Sequence, residues 1–586
     1  MTSSQPPQPG ARIARVNGPL VEVQGLDRVA MYDIIELGNR RLPGEAVAIR
    51  GPLTTVQAYE YTGGLAPGEP ASSRGEPLSA LLGPHLLGGV FDGLLRPLAG
   101  APTWLEPGQS EAALASREFD FIPEVTKGAA VRDGSCLGSV LVGGGLPYRV
   151  LVPPELTGTV EEIRPAGAVP AGATVAMISG RQVPLTSSWP VRRPRPFRER
   201  LDGGAPLVTG QRVIDVLFPV VRGGTTAVPG GFGTGKTVLL QQITKWCDAD
   251  VIIYVGCGER GNELADMLGE LAALADPRTG GRLVERTVVI ANTSNMPMMA
   301  REASIYTAAT VAEHFRDMGL DAVIIADSTS RWAEALREFA SRSGELPAEE
   351  GYPASLPSAL AAFYERAGRV ISIGGREGSV TIIGAVSPAG GDMTEPVTTY
   401  TQRFVRCLWT LDRDLAYARH YPAVSWSGSF SRDDAAIAAW YAEHGDAAWA
   451  DRKSRLAALL AEAGRLGSLA ELMGASALPA RERVTILAGR LIREGVLQQS
   501  ALSATDASCD GARAAALAGA VLAVAGRCQA LAADGVHPDL LEEQDFSPIL
   551  RAREEAATPD AVAGREHAML AELDELRRPR EEGGTG

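Results

Sequence analysis

The sequence is poor in the residues that would hold a structural metal or a disulfide framework. It has six cysteines and six histidines in 586 residues, with no CxxC pair among the cysteines and no histidine at ligand spacing. Structural zinc sites are usually built from closely spaced ligand pairs, and disulfide scaffolds are short and dense in cysteine. The sequence therefore predicts neither a zinc site nor a disulfide framework.

Positive charge is also scarce. The chain has 56 Lys and Arg against 70 Asp and Glu, a net charge of −14. A nucleic-acid backbone is met mainly by basic side chains, so this balance argues against a general nucleic-acid binder. One local basic cluster stands near a predicted domain boundary, and we interpret it as a solvated linker. Its members are Arg192, Arg193, Arg195, Arg198 and Arg200.

Long hydrophobic runs are missing as well. The longest alanine-rich apolar run, Ala514 to Gly526, is about 13 residues long, and roughly 20 are needed to span a bilayer. The N-terminal segment MTSSQPPQPGAR has no apolar core and does not resemble a signal peptide. These features predict a cytoplasmic protein that reaches a membrane only through partners.

The chain is 45% hydrophobic and 22% charged, as in a folded globular protein, and it is too long for one core. Its patterns predict a multidomain fold. Residues 1–75 alternate as in a small β-barrel, and residues 76–195 form a connecting segment and a second β-rich unit. Residues 196–430 carry apolar runs between helical segments, typical of a parallel α/β sheet, and residues 431–586 have helical periodicity.

The segment GGFGTGKT, from Gly230 to Thr237, fits the phosphate-binding pattern G-x-x-x-x-G-K-[ST]. It follows a short apolar stretch and opens a helix-like run, which is the strand–loop–helix setting of a P-loop. Lys236 is predicted to reach the β- and γ-phosphates and Thr237 to hold magnesium. The residues predicted to contact the nucleotide here are Gly230, Gly231, Phe232, Gly233, Thr234, Gly235, Lys236, Thr237 and Val238.

Two further apolar runs end in carboxylates. AVIIAD ends in Asp327, a candidate ligand for magnesium, although an aspartate there could also cap the following helix. VIIYVGCGERGNE places Glu259 just beyond another apolar run, where a ligand crevice forms in an open α/β sheet. Glu259 is a candidate to orient the attacking water, with Arg260 near the phosphoryl group; taken alone, the two could be a surface pair.

In order, GGFGTGKT, GERGNE, DSTSRWAEALRE, EEGYPASL with FYERAG, and GAVSPAGGDMTEPV resemble the catalytic A subunit of V/A-type rotary ATPases. The resemblance covers at least residues 12–510. It identifies the central region as a RecA-like P-loop domain and the stretch from about 110 to 185 as the bulge domain of A subunits. It also implies that the ring of Tyr421 packs against adenine and that Leu502 stands where the family usually has a phenylalanine.

The resemblance implies ATP or ADP with Mg²⁺ as ligands. It implies a ring in which A subunits alternate with B subunits, each B subunit supplying an arginine finger in trans. It further implies stalk subunits, a membrane rotor and a proton or sodium current. Thr234 replaces a cysteine found in many eukaryotic members, so redox control through that position is not expected.

Three alternatives stay open. One is an export ATPase of the flagellar or secretion type, which lacks the bulge. Another is a non-catalytic nucleotide-binding ring subunit, which need not keep a carboxylate at Glu259. The third, a Rho-like RNA translocase, is disfavoured by the acidic balance and by the lack of an aromatic and basic RNA-binding module.

Overall fold

The computed structural model describes residues 10–101, 105, 117–276 and 278–576. They form two compact units. The first comprises residues 1–202, 222–225 and 249–405, and the second comprises residues 203–221, 226–248 and 406–586. Most of the N-terminal segment used for the signal-peptide prediction lies outside the described residues.

Short strands make up the first 200 residues of the first unit. They are β1 (Arg12–Asn17), β2 (Leu20–Gln24), β3 (Asp33–Leu37), β4 (Leu42–Arg50), β5 (Leu53–Ala58), β6 (Ala71–Pro77), β7 (Ser79–Leu82), β8 (Val90–Phe91), β9 (Glu118–Pro123), β10 (Ala130–Val131), β11 (Cys136–Leu141), β12 (Pro147–Leu151), β13 (Gly158–Ile163), β14 (Gly167–Pro170), β15 (Thr174–Ile178), β16 (Arg181–Pro184), β17 (Ser187–Pro190) and β18 (Phe197–Leu201).

The six N-terminal strands form one antiparallel sheet in the order β1-β2-β5-β4-β3-β6. An isolated bridge between Arg12 and Pro70 brings the two ends of the sheet together and closes the barrel. Alternate side chains point inward, so that Ile13, Val21 and Val56 share one buried core. The alternation read from the sequence is the cause of this barrel, as predicted.

The second β-rich region consists of two four-stranded sheets, β10-β13-β15-β16 and β12-β11-β9-β14. Leu137, Val160 and Ile178 are fully buried in the core of this region. Its last strand is followed by β17, which pairs with β7. The predicted bulge is thus a folded β-structure with its own core.

The rest of the chain is mixed and then helical. The further strands are β19 (Pro206–Leu207), β20 (Val220–Val221), β21 (Thr225–Pro229), β22 (Val251–Glu259), β23 (Thr287–Thr293), β24 (Asp321–Asp327), β25 (Gly368–Ser372), β26 (Glu377–Val386), β27 (Cys407–Leu408) and β28 (Phe430–Ser431). The helices are α1 (Arg212–Leu217), α2 (Lys236–Trp246), α3 (Gly261–Ala273), α4 (Met298–Asp317), α5 (Thr329–Ser343), α6 (Leu356–Tyr364), α7 (Pro396–Phe404), α8 (Arg413–Tyr417), α9 (Asp434–Glu443), α10 (Trp449–Met473), α11 (Ala480–Ile492), α12 (Gly511–Ala533), α13 (Pro538–Glu542), α14 (Ser547–Leu550), α15 (Ala552–Glu555) and α16 (Pro559–Glu575).

The first unit contains a parallel sheet in the order β26-β24-β22-β23-β8. Strands β22, β23, β24 and β26 correspond to the four apolar runs in the sequence, and almost all of their side chains are buried. Buried parallel strands of this kind are covered by helices on both faces. Helix α4 packs on β22, β24 and β26, and α5 packs on β22 and β26. Because the strands are parallel, their carboxyl ends share one edge.

The second unit carries the strand β21, which pairs in parallel with β27, and a helical domain. In that domain α10 packs on α11, α11 on α12 and α12 on α16. A π-helical turn, Arg493–Leu497, follows α11. Together with the two β-rich regions and the parallel sheet, these helices confirm the predicted multidomain class.

Helix α12 is longer than the apolar run read from the sequence. Within the part of the chain that the structure describes, it is the one helix that passes a membrane-span test of length and composition, with a mean hydropathy of 1.5. However, 56% of its apolar window is buried inside the protein. Its neighbours α11 and α16 cover it, as they would cover the core helix of a helical domain.

The basic cluster between 192 and 200 is not a solvated linker, and that interpretation was wrong for two of its members. Arg192 donates hydrogen bonds to Glu45 on β4 and to Glu302 on α4. Arg195 is buried and its Nε donates to Asp317 at 2.7 Å. The partners are distant in sequence, so only the folded chain reveals that these arginines fasten the β-rich regions to α4.

Candidate active site

The phosphate loop of the second unit connects β21 to α2. Gly233 and Gly235 have φ angles of +81° and +82°, which favour glycine over residues with a side chain. The hydroxyl of Thr234 donates to the carbonyl of Gly231 at 2.9 Å and so closes the turn. A Cβ on Gly230 would lie 2.8 Å from that hydroxyl oxygen, which leaves no room for a side chain. The loop therefore depends on its glycines for its shape.

Helix α2 begins at Lys236 directly after this turn. The first backbone N–H groups of a helix have no partner within it, and its dipole favours an anion there. Lys236 and Thr237 are half-buried, whereas Phe232 and Val238 are 94% and 53% exposed. The arrangement suits a phosphate chain held by backbone N–H groups together with one lysine and one hydroxyl.

Tyr421 lies beside the phosphate loop within the same unit. A Cβ added at Gly235 would stand 3.3 Å from its Cε1 atom, so the ring contacts the loop. The Tyr421 hydroxyl donates to the carbonyl of Ala416 at 3.3 Å, and its own carbonyl accepts from Gln499 N at 2.8 Å. Leu502 is 99% exposed, so its side chain is not packed against the loop.

Asp327 ends strand β24 of the first unit and is 1% exposed. Its register partner on the neighbouring strand β22 is Gly256. The hydroxyl of Tyr254, also on β22, donates to Asp327 Oδ2 at 3.4 Å. Burial raises the pKa of Tyr254 well above its usual value, and the charge of Asp327 raises it further, so this phenol stays a donor.

Glu259 ends strand β22 and is half-buried. It follows by three residues the position that pairs with Asp327, so the two carboxylates belong to adjacent strands at the same edge of the sheet. Arg260 caps the start of α3, and its guanidinium is 69% exposed and 3.6 Å from Glu263. The structure thus brings Glu259 and Asp327 to the strand ends where ligands bind in open α/β sheets.

Sequence reasoning missed three residues next to these carboxylates. Tyr254 is one, and the others are two arginines beside Gly258, the residue before Glu259. A Cβ added there would be 2.9 Å from Arg331 Cβ and 3.2 Å from Arg301 Nε. Hydrogen bonding to Glu334 raises the pKa of Arg331, and the charge of Glu259 adds to this effect. Arg331 stands within the DSTSR run, whereas no local pattern marked Arg301.

A phosphate loop between a strand and a helix, together with carboxylates at the ends of buried parallel strands, defines a P-loop nucleotide-binding protein. Sequence models of the ATP synthase alpha/beta family match along the chain. The beta-barrel domain matches residues 13–75, the barrel-sandwich domain residues 111–192 and the nucleotide-binding domain residues 210–431. The C-terminal domain of V and A type ATP synthases matches residues 438–519.

Named relatives give the branch of this family. The chain is 49% identical to the V-type ATP synthase alpha chain of Anaeromyxobacter sp. (strain K) over 507 residues, covering 86% of this chain and 88% of the relative. It is 46% identical to the corresponding polypeptide of the A-type ATP synthase of Methanopyrus kandleri, covering 85% and 86%. The chain belongs to the family of V-type and A-type ATP synthase alpha chains.

A solved structure shares the fold. It is the structure of the assembled ATPase EscN from the enteropathogenic E. coli type III secretion system, with a TM-score of 0.62 and 21% identity. The match covers 88% of this chain and all of that one. At this identity the likeness describes the fold alone.

Proposed function

We propose that this protein is the catalytic subunit of a membrane-associated rotary complex that hydrolyses or forms ATP. The observation that carries the proposal is Glu259 at the carboxyl end of β22, one strand away from Asp327. A subunit that only binds nucleotide has no need of a carboxylate at that position. Family membership, with coverage above four fifths of both chains, supports the same activity.

The phosphate loop binds the triphosphate in this proposal. Backbone N–H groups of the loop and of the first turn of α2 donate to the phosphate oxygens, and Lys236 adds a charge for the β- and γ-phosphates. The ring of Tyr421, which already lies against Gly235, offers an apolar face for the base. Leu502 extends that face only if its turn changes conformation, because its side chain is almost fully exposed.

The donor atoms fit a magnesium ion. Thr237 offers a hydroxyl and Asp327 a carboxylate, and Mg²⁺ prefers such hard oxygen donors. Asp327 is buried and is oriented by the phenol of Tyr254, as expected of a carboxylate held ready for a cation. Bound Mg²⁺ would neutralise charge on the phosphates.

Glu259 is proposed to orient the attacking water in hydrolysis, or to release it in synthesis. A carboxylate that accepts a hydrogen bond from water holds the oxygen in line with the γ-phosphorus. Arg260, whose guanidinium is mostly exposed, offers positive charge for the phosphoryl group. Catalysis then consists mainly of positioning and charge stabilisation, as for phosphoryl transfer in general.

The remaining features of the proposal concern partners. A B-type subunit completes the catalytic site with an arginine finger, a contribution worth roughly 10³ to 10⁵ in turnover. Stalk subunits connect the ring to a membrane rotor that moves protons or sodium ions, which places the protein at a membrane through its complex. No nucleic acid takes part. The isolated chain is accordingly a weak ATPase.

The export-ATPase alternative is disfavoured by the bulge. Strands β9 to β16 form two sheets with their own core, and export ATPases lack such a region. The likeness to EscN does not reverse this, because at 21% identity it concerns the fold.

The test is Glu259→Gln in a complex reconstituted with a matching B-type subunit. Turnover is expected to fall at least ~100-fold, because the neutral amide is a poorer acceptor for the water's proton. ATP binding is expected to change little. Glu263→Gln, on the first turn of the next helix, is the matched control and should retain most of the activity. Turnover that survives in Glu259→Gln would remove the catalytic assignment.

A further inference from the structure

Gly258 is a point of close approach between the end of β22 and two arginines. Its φ angle is +73°, and a Cβ there would meet Arg331 on one side and Arg301 on the other. Because the next residue is Glu259, any movement of either arginine changes the path of the main chain into that carboxylate. The absence of a side chain at Gly258 allows both arginines to touch the strand.

Arg301 also reaches the backbone of Glu259 through one intermediate residue. Its Nη2 donates to the carbonyl of Ser294 at 3.1 Å, and the N–H of Ser294 donates to the carbonyl of Glu259 at 3.0 Å. Arg301 itself is anchored, since its own carbonyl accepts from Ser304 Oγ at 2.7 Å within helix α4. A continuous set of hydrogen bonds therefore connects α4 to the end of β22.

The two arginines differ in their other contacts. The guanidinium of Arg331 forks onto both carboxylate oxygens of Glu334, each at 2.9 Å. Among the described residues, Arg301 makes no ion pair, and its buried Nε has no hydrogen-bond partner. A guanidinium that is partly buried without a carboxylate carries a desolvation cost. Mere stability is a poor reason to keep it there.

We propose that Arg301 is a positioning residue, which holds the main chain of Glu259 through Ser294 and so sets the place of its carboxylate. This inference rests on the role proposed for Glu259. Its physical basis is that displacement of a reacting group by about 1 Å costs on the order of 100-fold in rate. Arg301 does not need to touch the nucleotide to act in this way.

The experiment compares Arg301→Ala and Arg301→Lys in the complex with a B-type subunit. For Arg301→Ala, kcat is expected to fall about 10- to 100-fold, with KM for ATP and affinity for ADP within about threefold of wild type. Trapping of ADP with aluminium fluoride, which mimics the phosphoryl group in flight, is expected to fall in parallel with kcat. Arg301→Lys can still donate to the carbonyl of Ser294 and is expected to recover part of both.

Arg149→Ala is the matched control, because Arg149 Nη1 donates to the carbonyl of Met318 at 2.7 Å, in the same unit but away from Glu259. It is expected to keep the wild-type kcat. The inference is overturned if Arg301→Ala keeps its kcat, if it loses nucleotide affinity as much as kcat, or if Arg301→Lys is no better than Arg301→Ala. Glu259→Gln, assayed alongside, separates the two claims: its loss of turnover with an unaffected Arg301→Ala would sink only this inference.

Discussion

The phenol of Tyr254 donates a hydrogen bond to the carboxylate of Asp327 across two adjacent parallel strands, at 3.4 Å. Both side chains are buried. The bond occupies Oδ2 and directs the remaining lone pairs of the carboxylate away from the tyrosine. Orientation of a cation ligand from behind is a common way of tuning its affinity.

Removal of the phenol should weaken magnesium binding without weakening nucleotide binding. Tyr254→Phe keeps the ring and deletes only the donor, so we expect the Mg²⁺ concentration for half-maximal ATPase rate to rise about 3- to 10-fold. The rate at saturating Mg²⁺ should change little. Titration of the ATPase rate with Mg²⁺ measures this, with Tyr148→Phe as a control whose hydroxyl instead contacts His314. An unchanged Mg²⁺ dependence would contradict the orienting role.

The second unit contains a fully buried ion pair between Arg212 and Asp506, 2.6 Å apart. Asp506 also accepts from Arg553 and from the backbone N–H of Ser500. Asp506→Ala would leave a buried guanidinium uncompensated, and removal of one partner of such a pair destabilises by about 3–5 kcal/mol. We expect the urea midpoint of the second unit to fall accordingly.

Limited proteolysis across the urea series would report that midpoint. Asp539→Ala is the control, because its pair with Arg483 is largely exposed and contributes little. Similar midpoints for the two variants would show that burial does not make the Arg212 pair important.

The first unit should become less stable as the pH falls below neutrality. Burial lowers the pKa of His85 to about 4, and the charge of Arg117 lowers it further. The unfolded chain binds a proton near pH 6.5 and the folded one does not until about pH 4. Between these values stability is lost with falling pH, by at most about 1.4 kcal/mol per pH unit.

His85→Gln should flatten this dependence. The thermal midpoint measured from pH 7 to pH 4 is the readout, and exposed His567→Gln is the control that should follow the wild type. His314 is buried and its pKa is also lowered well below the usual value, so part of the slope should survive in His85→Gln. A variant with the full wild-type slope would show that His85 is not a source of it.

Local pattern was sufficient for much of the architecture. The glycines of the phosphate loop, the apolar strands that end near Glu259 and Asp327, and the alternation in the barrel each appear within a few neighbouring residues. Backbone conformation and strand burial follow from such short-range features. The bulge and the helical domain were recognisable for the same reason.

Side-chain partners distant in sequence were not predictable in this way. Arg192 looked like part of a solvated linker because its partners Glu45 and Glu302 lie far away along the chain. Likewise, nothing near Arg301 indicates that it touches the strand before Glu259. These contacts exist only because parallel strands and their covering helices bring remote segments to one edge.

The sequence by itself determined that this chain grips a nucleotide phosphate, and it determined which carboxylates are available for the chemistry. A phosphate loop is a local conformation of glycines, so the pattern and the shape are nearly the same statement. Only the tertiary structure decided how those carboxylates are held: Asp327 by Tyr254, and the main chain of Glu259 through Ser294 by Arg301. Such support depends on packing between elements, which no run of neighbouring residues specifies.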